Sequence, residues 1–184
     1  TVSIVVMAAG EATYLAGGGD AARLVFGVGG VGVAACLILF TWSLGILGRR
    51  EGDPEPGIDR GYEKYLRLGY AWLAISGAML ASFSLLLIAG RQMDHAFVGA
   101  YRHAITVGFI TTVMTGMASR IVPVFRGVPL YSIRLREWTF WLLAIGNVVR
   151  VVSQSLSAVG GPVWLRVAGV SGVLELAALL HDVC

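Results

Sequence analysis

A single histidine sits inside an apolar run, Arg102-His103-Ala-Ile-Thr-Val-Gly-Phe-Ile-Thr-Thr-Val-Met-Thr-Gly-Met-Ala-Ser-Arg-Ile-Val-Pro123. An imidazole near membrane depth is costly without a partner, so His103 reads as a ligand, a proton handler or a hydrogen-bonded brace. At about 100° per residue, His103, Val107, Ile110, Met114 and Met117 share one helix face. An imidazole over apolar and thioether side chains forms the edge of a porphyrin pocket, with His103 axial to haem iron and Met114 and Met117 lining the slot. The alternative stays open: an interfacial histidine also serves as a hydrogen-bonding residue, and methionines at helical spacing also serve packing.

His95 lies eight residues earlier, in an outer loop or an extension of the same helix. With His103 it would bind copper or provide a second axial ligand, although two histidines are too few to specify a metal. His181 carries less weight, being near the opposite face and close to the last residue. Arg150 stands halfway along another apolar stretch, in the polar stripe Asn147, Arg150, Gln154, Ser157. Polar groups at such depth face protein or water. Glu175 stands midway along the next span, and opposed helix directions predict a buried Arg150–Glu175 pair. That pair is an orienting salt bridge, or else Arg150 binds a haem propionate or handles a proton. Arg120, near the inner end of its span, is expected to snorkel.

The elements that must position these groups are membrane spans. The 184 residues are 57% hydrophobic and 14% charged, with a mean hydropathy of +0.77, well outside the soluble range. Crossing a hydrocarbon core takes about 20 apolar residues. Five windows meet that length: Leu24 to Gly48, Leu68 to Gly90, Ala100 to Pro123, Glu137 to Ala158 and Val163 to His181. Val2 to Leu15 is too short, lacks the features of a signal peptide, and reads as the tail of a longer helix. The expected fold is therefore all-α, a polytopic bundle of five full spans plus a partial N-terminal helix, forming one domain over 1–184. With no initial methionine, and an end soon after an apolar run, the chain reads as a fragment of a longer bundle.

The net charge of +3 would suit nucleic acid in a soluble protein. Here the arginines flank apolar spans, Lys64 is the only lysine and no basic tract carries interleaved aromatics. They read as topology signals and headgroup anchors, and nucleic-acid binding is excluded. Basic residues concentrate in the loop of about 49–66 and around Tyr131, placing both in the cytoplasm and His103 near the outer face. Glu51, Asp53, Glu55 and Asp59 alternate with prolines and glycines in that first loop, a solvated composition without catalytic duty. Trp138, Trp141 and Trp164 fall near span ends, where indole rings favour the interface. Cys36 reads as a small buried hydrophobe, and neither it nor Cys184 supports a disulfide framework. The glycines predict close helix approach, in Gly27, Gly30 and Ala34 and in Ala104, Gly108, Thr112 and Gly116.

The pattern His103-Ala104-x-Thr106-x-Gly108, followed by Gly116-Met117-x-x-Arg120, resembles the NnrS family of bacterial polytopic membrane proteins. The resemblance covers the last 120 residues or so and is strongest over 102–123. It implies an inner-membrane protein that binds haem b through His103, with copper as a further metal, linked to nitric oxide and denitrification stress. Family members are roughly twice this length and richer in histidine. Ile121 to Phe125 also gives a proline-terminated helix similar to those of haem-copper oxidase relatives. Two other readings stand beside this one. The first is a cofactor-free scaffold or accessory subunit whose partners are the bilayer and other membrane proteins or further copies of itself. The second is a transporter using Arg150 and Glu175 along a substrate path, for which internal repeats would be expected and none is seen.

Overall fold

In a computed structural model, the structure describes residues 2–48, 60–91, 94–127, 132–161 and 163–183, all in helices and the turns between them. The helices are α1 (Val2–Leu15), α2 (Gly19–Ser43), α3 (Glu63–Ile88), α4 (His95–His103), a π-helical segment (Ala104–Thr111), α5 (Thr112–Arg126), α6 (Ile133–Gly160) and α7 (Val163–Val183). Segments α4, π and α5 run on as one 32-residue helix, His95–Arg126. Four helices are long and apolar enough to cross a membrane: α2, α3, the composite helix and α6. This is the architecture of a multi-pass membrane protein. Five full spans were expected, and α7 is helical over 21 residues without belonging to those four.

The chain folds up and down, each helix antiparallel to the next. Gly17 and Gly19 take positive φ in the turn between α1 and α2, a conformation glycine adopts without strain. The hairpin closes tightly: a Cβ at Gly29 would lie 2.5 Å from the backbone nitrogen of Met7. On α3, Gly77 faces the Ala34 carbonyl at 3.3 Å by the same measure, so small residues set the α2–α3 seam as the spacing predicts. In the third span the stripe Ala104, Gly108, Thr112, Gly116 is buried throughout, with Gly108 against Trp72 and Gly116 against Tyr65.

Boundaries differ from the expectation at both ends of the composite helix. It begins at His95, not Ala100, because the Asp94 carboxylate accepts the Ala96 N–H at 2.8 Å and caps the first turn. It ends at Arg126, not Pro123. Pro123 sits in the final turn, and Gly127 at φ 63° terminates the helix in the left-handed conformation. The loop expected over 49–66 also ends early, since α3 starts at Glu63. Glu51, Asp53, Glu55, Asp59 and Tyr131 lie outside the described residues. Cys36 is exposed on the outside of α2, not buried.

At the end where α3 starts, Lys64 pairs with Glu137 and the Tyr65 hydroxyl donates to the Arg136 carbonyl. The guanidinium of Arg120 donates to the Tyr62 hydroxyl and stacks 4.4 Å from the Tyr62 ring centroid. Arg120 is thus held by an aromatic partner at the bundle end where snorkelling was expected. Trp138, Trp141 and Trp164 are all outward-facing.

Candidate functional site

Two largely buried ionisable groups meet where α4 passes into the π segment. His103 is its N-terminal flanking residue, and its Nε2 lies 3.1 Å from both Oε1 and Oε2 of Glu175 on α7. The side chains are 19% and 12% exposed. A carboxylate only accepts hydrogen bonds, so the bridging hydrogen belongs to Nε2, and a neutral ring then keeps its lone pair on Nδ1. Glu175 therefore does for His103 what outer carboxylates do for ligating or proton-carrying imidazoles: it fixes tautomer and ring orientation.

Depth follows from the neighbours. A Cβ at Gly146 would lie 3.0 Å from Cγ of Glu175, and Gly146 is at the middle of the 28-residue α6. Glu175 is thus level with the middle of α6, while His103 lies eight residues, about 12 Å, inside the start of the composite helix. Starting the helix at His95 instead of Ala100 adds five residues, about one and a half turns, between its start and the expected one, and sets His103 that much further inside the helix.

Glu175 was expected to pair with Arg150, and it does not. Arg150 Nη1 donates to the Ala168 carbonyl at 2.6 Å, an oxygen that also accepts from the Ser171 hydroxyl at 2.7 Å. The antiparallel register places Ala168 opposite Arg150. Glu175 stands seven residues further along α7, about 10 Å at 1.5 Å per residue. Both polar residues are indeed inside the bundle, but each serves a different partner.

The π segment explains where the methionines went. Its bonds run from i to i+5, so each turn holds more residues than an α turn and the face drifts. The wider turn is braced by hydroxyls: Thr111 Oγ1 donates to the Thr106 carbonyl at 3.1 Å and Thr112 Oγ1 to the Val107 carbonyl at 3.0 Å. His103 points into the bundle, whereas Met114 is 66% exposed and Met117 36%. Met114 is also eleven residues from His103, roughly 16 Å along the axis. His95 belongs to the same unbroken helix, eight residues or about 12 Å from His103, too far for one metal ion to take both. Among the described residues, no group of three or more His, Cys, Asp or Glu gathers to hold a metal. The side chain of His181 lies outside the described residues.

The stripe on α6 lies beside the pair. Asn147 is 1% exposed, and neither its Nδ2 nor its Oδ1 has a hydrogen-bond partner among the described residues; the same holds for Nε of Arg150 and Oε1 of Gln154. The polar stripe was legible in the sequence, while the His103–Glu175 contact and the π segment were not. The two residues stand 72 positions apart, and no local pattern joins them. Threonines five apart, Thr106 and Thr111, are the one faint signal of i+5 geometry.

Fold and site together define a multi-pass helical membrane protein with a largely buried His–Glu pair. Comparison of the chain with known protein families, with curated proteins and with solved structures finds no match.

Proposed function

We propose that this chain is a haem b-binding protein of the bacterial cytoplasmic membrane, with α7 as a fifth span, and that His103 is an axial ligand in nitric oxide or respiratory metabolism. The observation that carries the reading is the carboxylate-oriented imidazole inside the bundle. Ligating histidines are characteristically held by such a second hydrogen bond. The resemblance of residues 102–123 to the NnrS family points the same way.

The residues fit one side of a haem site. His103 supplies an oriented ring, Glu175 holds it, and the free Nε of Arg150 would take a propionate. Met114 and Met117 do not fit, because they face outward. When bound, the haem would supply redox and gas-binding chemistry. The protein's part is to set the ring's orientation through Glu175.

The test is an oxidised and dithionite-reduced optical spectrum of detergent-purified protein, with pyridine haemochrome quantification after haem-supplemented expression. About one haem b per chain is expected, lost in His103→Ala and also in the double variant His103→Ala/Glu175→Leu, which removes the lone carboxylate and guards against misfolding. Full haem content in either variant sinks the assignment.

One observation favours a second reading, a cofactor-free accessory subunit: Nε2 of His103 is already engaged by Glu175, as in a brace. Colourless protein from haem-replete cells that purifies with stoichiometric membrane partners would establish it.

A further inference from the structure

Unpartnered polar atoms of Asn147 and Gln154 on α6 flank the His103–Glu175 pair on both sides. Asn147 and Gln154 are seven residues apart and share one helix face. A Cβ at Gly108 would lie 2.6 Å from Nδ2 of Asn147, and a Cβ at Gly99 would lie 3.6 Å from Nε2 of Gln154. His103 lies between Gly99 and Gly108, so one amide packs about a turn before it and the other about a turn after it. The missing side chains of these glycines make the room that the amides occupy.

The chemistry of the free atoms selects the occupant. Along the stripe they comprise two donors, Asn147 Nδ2 and Arg150 Nε, and two acceptors, Asn147 Oδ1 and Gln154 Oε1. An anion would leave both acceptors unsatisfied and would meet the Glu175 carboxylate. A cation would leave both donors unsatisfied and would meet the Arg150 guanidinium. Water donates and accepts, and buried water characteristically satisfies such mixed sets.

We propose that α4, the π segment, α6 and α7 enclose a row of bound water running from Gln154 past His103–Glu175 to Asn147, forming a half-channel. It opens toward the end of the bundle where Asp94 caps α4; there Gly99 and Ser157 are partly accessible and Asp94 and His95 exposed. It closes at Leu143, one turn beyond Asn147 and 1% exposed, together with Trp72 against Gly108. The central pair thus meets water from one side of the membrane only. This inference is independent of the haem reading, which the optical spectrum tests separately.

X-ray radiolytic hydroxyl-radical labelling of the full chain in lipid nanodiscs, in ¹⁸O water, tests it. Radicals form at bound water, so a buried side chain labels only where water sits beside it. Leu143 and Leu80 are the same residue type at 1% and 2% exposure, one at the end of the proposed row and the other in the α2–α3 seam. Leu143 is expected to label at least fivefold faster than Leu80. Equal rates overturn the proposal. In Asn147→Leu, the Leu143 rate should fall to that of Leu80, while an unchanged slow Leu80 rate reports that the fold is intact. Persistent fast labelling of Leu143 in that variant would also overturn it.

Discussion

Two seams of this bundle use the same small residues for different ends. Between α2 and α3, a Cβ at Gly27 would lie 2.5 Å from the Ile88 side chain and 3.1 Å from the Ser84 carbonyl. Nearby hydroxyls turn back on their own helices, as Thr41 does to Leu37 at 2.9 Å and Ser76 to Leu73 at 2.9 Å. That seam is apolar packing, continued by the buried cluster of Ala34, Leu80 and Tyr101. Between the composite helix, α6 and α7, Gly108 and Gly146 also bring backbones close, but what enters the gap is the Asn147 amide, beside Trp72, and the stem of Glu175. Glycine at a helix seam sets proximity, and the facing side chain decides whether the gap holds packing or chemistry. A glycine stripe by itself therefore carries no functional information.

The sharpest way to separate the seams is to remove a partner from each. His103→Ala leaves a largely buried carboxylate without its donor and should cost about 4 kcal/mol of stability, the range for breaking a buried pair on one side. His103→Ala/Glu175→Leu should recover at least half of that loss, because the uncompensated carboxylate is gone. Thermal melts in detergent measure both; additive losses would show that the two residues do not interact. In the apolar seam the corresponding insult is steric. Gly30→Leu drives a side chain into the Ser84 hydroxyl and should cost about 3 kcal/mol by overpacking. An unchanged melting temperature would mean that α2 and α3 are not in close contact.

The spans were legible because an apolar window of membrane length has few alternatives, and α2, α3, the composite helix and α6 fall where hydropathy places them. Their ends were less so. Asp94 extends a helix by one side-chain hydrogen bond, and Pro123 does not end one: α5 runs on to Arg126 and stops at Gly127. At the site, Glu175, Arg150 and the stripe through Asn147 and Gln154 stood out as polar groups at mid-helix. Who pairs with whom did not, because that depends on the register of α6 against α7 and on a π turn that rotates His103 away from the face of Met114. Arithmetic at 100° per residue holds only while the helix stays α.

The smallest predicted effect tests that rotation directly. Thr112 and Thr41 are almost equally buried, at 1% and 2% exposure. Each donates its hydroxyl to a carbonyl of its own helix, Thr112 five residues back and Thr41 four. Replacing either with valine keeps the shape and removes one hydrogen bond, worth about 1 kcal/mol. In α2 the α-helical ladder remains without the hydroxyl, so Thr41→Val should cost well under about 1 kcal/mol. In the π segment the hydroxyl supports the wider turn that aims His103 at Glu175, so Thr112→Val should cost the full amount. Hydrogen exchange across 104–112 should also accelerate in Thr112→Val, and exchange across 37–41 should stay unchanged in Thr41→Val. Equal costs for the two variants, with unchanged exchange in both, would mean that the π turn holds without its hydroxyl and that packing against α6 and α7 alone sets the direction of His103.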